Sequence, residues 1–382
     1  MHNDVHSNPL YYEKIYKLLL KFATPSIISM LVGALYNIVD QIFIGQGIGI
    51  KGNAATNVAF PLTTICVSIS LFLGLGGASS YSLLLGKGEK EKASNIIGNT
   101  ISLAFIFSII LTIIVKIFVK NIMYMFGSTE EVLGYAIKYS SITSTGFLPF
   151  IFSSMMSHII RADGSPRYSM MSVLSGAIAN TILDPIFIFY FKMGIAGAAL
   201  ATIIGQFISF ALTFKYIFKM KNVTLNKKSF ILKKSNVIKI FALGLSGGFN
   251  QLAMMAVQIT MNNVLSYYGN QSIYGGNIPL AVSGIIAKIN MIVMAFIIGT
   301  GQGSQPIVGF NYGARNYKRV IDTYKLSVFI TTIMAITASL LFQLFPRQIV
   351  SIFGDGSELY FSFAEEYMRI YMLFMVVNGV QP

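Results

Sequence analysis

Long apolar runs follow one another along most of this 382-residue chain, each broken only by a short polar turn. A run of ~20 mostly apolar residues is the length that crosses a bilayer as a helix. Within lipid, only helices and closed barrels satisfy every backbone polar group. Ten runs of helical rather than strand length lie near 22–44, 54–85, 94–118, 135–158, 168–190, 195–218, 238–267, 278–306, 322–345 and 363–382. They predict an all-α integral membrane protein. Composition agrees, with 54% hydrophobic and only 11% charged residues, against roughly 25% charged in soluble domains. The net charge of +14 would suit nucleic acid only if Lys and Arg formed a surface patch. They punctuate the turns instead, so membrane lipid is the expected partner and nucleic acid is not.

The basic residues divide roughly three to one between the two sides of the membrane. The richer side holds the turns near Lys14–Lys21, Lys87–Lys92, Arg161–Arg167, Lys215–Lys239 and Arg315–Lys325. This bias places the N-terminus in the cytoplasm of a multi-pass protein of the cell's inner or plasma membrane. Lys14, Lys17 and Lys21 lie opposite Ile15, Leu18 and Leu19, the pattern of a short surface helix over residues 10–21. The Lys-rich segment 215–239 reads as a solvated basic linker. Residues 1–13 are polar and offer no cleavable leader. The single cysteine, Cys66, lies in an apolar run, which excludes a disulfide framework.

A repeat is visible. Gly74-Leu75-Gly76-Gly77-Ala78-Ser79 returns as Gly299-Thr300-Gly301-Gln302-Gly303-Ser304, and each is followed by a basic turn and another apolar run. Parallel repeats of this kind are a transporter device. They predict an N-terminal lobe over 1–222 with helices 1–6 and a C-terminal lobe over 223–382 with helices 7–10. Matched against the first lobe, the second is short by roughly 65 residues, as expected of a truncated twelve-helix protein with about ten spans.

Three ionisable residues lie deep in the runs: Asp40, Asp184 and Lys288. A charge at mid-bilayer costs at least ~2.5–3.5 kcal/mol, so each is a candidate functional group. Ser26, Ser29, Gly33, Tyr36, Asn37 and Asp40 share one helical face, and Ser172, Gly176, Asn180 and Asp184 share another. Each polar stripe therefore ends in a carboxylate facing protein or water. Two acids in one cavity could exchange a proton, or with Asn180 could form an oxygen cage for Na⁺. Lys288 is read either as a buried ion pair or as a charge in a substrate cavity. The glycine motifs are read as close helix packing, since no strand precedes them and no dinucleotide or P-loop fingerprint is present. No histidine spacing suits a metalloenzyme.

The chain resembles the multidrug and toxic compound extrusion (MATE) family, closest to its MepA-like and DinF-like bacterial branch. The likeness rests on Leu35-Tyr36-Asn37-Ile38-Val39-Asp40, Arg161-Ala162-Asp163-Gly164-Ser165-Pro166-Arg167 and Asn180-Thr181-Ile182-Leu183-Asp184-Pro185. In the second half it rests on Gly301-Gln302-Gly303-Ser304-Gln305-Pro306 with Gly309-Phe310-Asn311-Tyr312-Gly313. The resemblance implies two pseudo-symmetric six-helix lobes and a monomeric antiporter, coupled to H⁺ or Na⁺ without a cofactor, that exports amphiphilic and often cationic drugs or metabolites by alternating access. It also implies that Asp40, Asn180 and Asp184 carry the coupling ion, joined by Tyr139 and Thr202. Tyr36, Asn37, Gln258 and Lys288 are candidates for the substrate cavity. The region Gly244–Leu265 offers amides such as Asn250, Gln251 and Gln258 but no acid, which favours coupling through the first lobe. Two other readings are weighed: a flippase for lipid-linked saccharides, which would want a more cationic cavity, and a membrane-embedded enzyme, for which no catalytic cluster is found.

Overall fold

A computed structural model describes residues 5–275, 277–352 and 357–380, and among them every regular element is a helix. After the short α1 (Pro9–Tyr12) come α2 (Ile15–Ile48), α3 (Ile50–Gly86), α4 (Lys90–Met125), α5 (Glu130–Thr143), α6 (Phe147–Ala162), α7 (Pro166–Pro185) and α8 (Ile195–Ile217). The second half carries α9 (Lys234–Asn270), α10 (Asn277–Gly313), α11 (Tyr317–Leu344), α12 (Pro346–Ser351), α13 (Glu358–Tyr371) and α14 (Met375–Asn378). Eight of the described helices are individually long and apolar enough to span a membrane.

Two of the ten expected spans are therefore built differently. The fourth, 135–158, is two pieces: α5 and α6 meet at a 3₁₀ turn over Ser144–Gly146. Thr143 Oγ1 bonds the Tyr139 carbonyl at 3.0 Å, Ser144 Oγ that of Ser141 at 2.9 Å and Thr145 Oγ1 that of Ile142 at 2.7 Å. These hydroxyls satisfy the backbone where the α-helical ladder is interrupted. The tenth, 363–382, is α13 followed by a turn and α14, with its last two residues outside the described ones. The surface helix expected at 10–21 is also absent as a separate element. From Ile15 onward those residues run directly into α2, with Leu18 and Leu19 buried.

The chain forms two compact units. The first comprises Met1–Lys14, Leu35–Leu252 and Gln305–Val320. At its centre stands α6, whose Ile151, Phe152, Met155, Met156, Ile159 and Ile160 are buried against α3, α4 and α8. The second comprises Ile15–Ala34, Ala253–Ser304 and Ile321–Pro382. Its core joins Val282, Ile286 and Ile289 of α10 to Phe342 of α11, Val350 of α12, and Ala364 and Met368 of α13.

Glycine sets the helix crossings. In the first unit, Gly76 of α3 lies against the Ile240 carbonyl of α9, while Gly244 of α9 lies against the Phe72 carbonyl of α3. Ten residues further along α3, Gly86 and Gly313 make the same reciprocal contact with the carbonyls of Phe310 and Leu83. No Cβ would fit at any of the four. In the second unit, Gly299 and Gly303 of α10 lie against the backbone of Ile27 and Ala23 of α2. The two copies of the repeated motif thus do the same work, letting backbones meet.

The segment between α8 and α9 is not a free linker. Asp163, fully buried at the end of α6, accepts from the hydroxyls of Tyr81 and Tyr216 at 2.5 and 2.8 Å and from the amides of Lys221 and Asn222 at 2.7 and 3.2 Å. Further on, Asn99 of α4 donates to the carbonyls of Ser229 and Ile231 and accepts from the Lys233 amide at 2.8 Å. The lysine side chains at 227 and 228 are exposed while the backbone beneath them is strapped to α4 and α6.

Candidate functional site

The acidic stripe of α2 and the amide stripe of α7 converge in the first unit. Gly176 of α7 and Gly205 of α8 touch backbone to backbone, which draws Asn180, one turn on, against α8. Asn180 Nδ2 then donates to Asp184 Oδ1 at 3.4 Å and to Thr202 Oγ1 at 3.5 Å. Thr202 in turn donates to the Ala198 carbonyl at 3.0 Å. Ser209 of α8 bonds the Ser172 carbonyl at 2.9 Å and pins the same helix pair lower down. On the other side, Gly47 of α2 lets Ile188 and Phe189 pack directly on the α2 backbone. The Asp40 side chain of α2 lies beside that of Asp184.

Tyr139 of α5 lies beside Thr202, and Tyr36 lies one turn from Asp40 with Asn37 beside its hydroxyl. One turn beyond the acids, Ile44, Ile188, Ile195 and Ala198 form a closed apolar cluster flanked by Phe43, Ile48 and Tyr139. Asp184 is wholly buried and Asn180 nearly so. The proline after Asp184 supplies no amide hydrogen, and the chain continues as a widened π turn over Ile186–Tyr190.

The network is acceptor-rich. Asp40 Oδ1, Asn180 Oδ1 and Asp184 Oδ2 are buried and receive no hydrogen bond from any described residue. Buried acceptors without donors cost about 1–3 kcal/mol each. Three oxygens of this kind in one network, two of them carboxylate, form a donor set that a proton or a hard cation satisfies.

The structure thus brings Asp40, Asp184, Asn180, Tyr139, Thr202 and Tyr36 together, with Asn37 at the edge on an exposed face. Gln258 and Lys288 belong to the second unit. Gln258 is exposed on α9 and donates to Asn262 at 3.0 Å. Lys288 lies on α10, half-buried. The sequence reading passed over Asp163 as a buried carboxyl. Its signal was a lone acid at the end of an apolar run, between Arg161 and a glycine. Arg161 is buried as well, held by His158 Nδ1 at 2.9 Å and Ser169 at 3.3 Å.

A many-spanned helical protein with paired acids buried in one helix cluster has the build of a secondary transporter. The MatE family profile matches residues 25–186 and 247–382, and the chain belongs to that family, whose members are transporters and not enzymes. The multidrug export protein MepA of Staphylococcus haemolyticus strain JCSC1435 is 27% identical over 376 residues, covering 97% of this chain and 80% of that protein. MepA of Staphylococcus aureus strain NCTC 8325 is 26% identical over 376 residues, covering 97% and 81%. Among solved structures, MATE in complex with MaD3S superposes with a TM-score of 0.88 at 23% identity, over 98% of this chain and 82% of that one. An outward-facing multidrug resistance MATE family transporter of the MOP superfamily gives the same values. The fold is the MATE fold, and the protein is a multi-pass membrane protein.

Proposed function

We propose that the chain is an ion-coupled exporter of amphiphilic small molecules, working by alternating access, with the coupling ion carried by Asp40 and Asp184. The observation that carries this is the convergence of two carboxyls and the Asn180 amide on one buried network whose acceptor oxygens lack donors. Its MepA relatives are multidrug export proteins, which supports drugs or drug-like metabolites as cargo. A ligand moves a conformational equilibrium only through unequal affinity for the two states. An empty acid pair repels itself, and a proton or Na⁺ shared between the carboxyls removes that repulsion and lets α2 and α7 draw together. Asn180, donating to Thr202 and Asp184, fixes the geometry in which the ion is taken. On this reading residues 1–222 and 223–382 are the two homologous lobes, the N-terminus is cytoplasmic, and the protein works as a monomer without a bound cofactor.

The test is transport in proteoliposomes with an imposed H⁺ or Na⁺ gradient. Adding a cationic dye to the native protein is expected to dissipate one gradient and not the other, which names the ion. Asp40→Asn and Asp184→Asn should each abolish that response while leaving the fold intact. Full gradient-driven efflux by both variants would overturn the assignment.

A further inference from the structure

We infer that Lys288 is a binding point for an anionic group on the cargo, so that the transported amphiphiles include molecules carrying a carboxylate, sulfonate or phosphate. The inference rests on the exporter reading above and narrows its substrate class.

Depth is the first observation. The apolar run of α10 begins at Ile278, and Lys288 lies ten residues along it. At 1.5 Å per residue that is about 15 Å into an apolar stretch that runs over Ile278–Gly313. Lysine can lift its ammonium to the headgroups only from near a helix end. Farther inside such a stretch it needs a polar partner or water, and transporter cargo sites also lie within the membrane.

Direction is the second. Val282, Ile286 and Ile289 point into the core of the second unit. Lys288, half-buried, lies on a flank of α10 turned away from those three, near the exposed Ala281, Gly284 and Met291. A Cβ added at Gly284, one turn away, would meet nothing within 4 Å. Exposed helix faces elsewhere in the chain carry bulky apolar groups such as Ile113, Ile117 and Phe329. Beside Lys288 the small Ala281 and Gly284, next to Met291, leave room for a guest.

Charge balance is the third. Lys288 makes no ion pair or hydrogen bond with any described residue. The sequence of α9 holds no acid, nor does that of α10, and Asp322 of α11 lies in the first turns of its helix. Glu365, on α13, is within ion-pair distance of Arg347. Glu366, beside Glu365, is exposed, so among the described residues Lys288 is a half-buried cation in an apolar run with no acid paired to it, and an unpaired charge withdrawn from water is costly. An anion arriving with the cargo supplies the missing charge and orients the molecule, while Met and aromatic contacts accept its apolar body.

The test uses two dyes that differ in one group: rhodamine 110, which has a free carboxylate, and rhodamine 123, its methyl ester. Binding is measured by fluorescence polarisation to the full chain in phosphatidylcholine nanodiscs. Lys288→Met should weaken rhodamine 110 about tenfold or more, the loss of one charge-assisted contact, and change rhodamine 123 by less than about twofold. Lys288→Arg should restore rhodamine 110. Equal effects on both dyes, or none on rhodamine 110, would overturn the inference and leave the exporter reading standing. If the native protein binds neither dye, the exporter reading falls and the inference with it. If adding phosphatidylglycerol to the discs abolishes the carboxylate preference, the site holds a lipid phosphate and the cargo assignment is wrong.

Discussion

Replacing Asp163 with Ala removes the acceptor that holds the segment between α8 and α9. The carboxyl receives the two tyrosine hydroxyls, the Lys221 amide at 2.7 Å, the Asn222 amide at 3.2 Å and the Asn222 side chain at 3.0 Å. A hydrogen bond to a charged group contributes about 1.5–3 kcal/mol net. These bonds share one acceptor and are not additive, and the Lys221 and Asn222 donors regain water once the segment lifts. The loss of roughly two such bonds makes release of the segment about 3–4 kcal/mol easier. When cutting is slower than reclosing, proteolysis follows the population of the open form, and each 1.4 kcal/mol is tenfold. Trypsin cleavage after Lys227 and Lys228 should therefore accelerate by roughly 150- to 700-fold in Asp163→Ala. Asp163→Asn keeps one acceptor and should accelerate it about tenfold. The measurement is limited digestion of purified protein in detergent, followed by mass spectrometry. A cleavage rate within about twofold of native would refute the strap, even if the variant also melted earlier.

Asn99→Ala should raise cleavage at the same lysines by roughly tenfold, because it removes the acceptor of the Lys233 amide and both donors to Ser229 and Ile231. Gly244→Val forces a branched side chain into the Phe72 carbonyl, and should cost about 2–3 kcal/mol in thermal unfolding. Gly134→Ala, where an added Cβ meets nothing within 4 Å, should be neutral or stabilising by up to about 1 kcal/mol; equal losses at the two sites would show that the close approach at Gly244 is not real. Cys66 is 1% exposed, so a thiol-reactive dye should label the folded protein far more slowly than the heat-unfolded one. Fast labelling before unfolding would contradict the packing of α3.

Much of this was legible because membrane helices write their constraints locally. Asp40 and Asp184 stand out as charges in apolar runs, and the four-residue spacing of Ser172, Gly176, Asn180 and Asp184 shows that one face is polar. The glycines of the repeat were readable as packing surfaces for the same reason. The interrupted fourth span was hidden because its backbone is satisfied by Thr143, Ser144 and Thr145, residues that hydropathy scores as unremarkable. The strapped segment was hidden for a different reason. Eight lysines between 215 and 239 advertise solvent, whereas the groups that hold its backbone, Asp163 and Asn99, lie far off in the chain and become its neighbours only through the packing of α4 and α6. The approach of Gly176 to Gly205, which presses Asn180 on Thr202, likewise needs two helices in place before it means anything.

At the closest points of the α3 crossings, Gly76 and Gly86, peptide groups meet directly. Each glycine turns its Cα hydrogen towards a carbonyl of the facing helix, and the partner glycine returns the contact. Such contacts contribute about 0.5–1 kcal/mol each. They carry no titratable proton, no net charge for salt to screen and no rotamer to reorder. A junction of lysine and carboxylate at the same place would loosen with acid or ionic strength. This one is chemically deaf: no change of pH or salt acts on it directly, and it parts or closes only when a helix is moved from somewhere else.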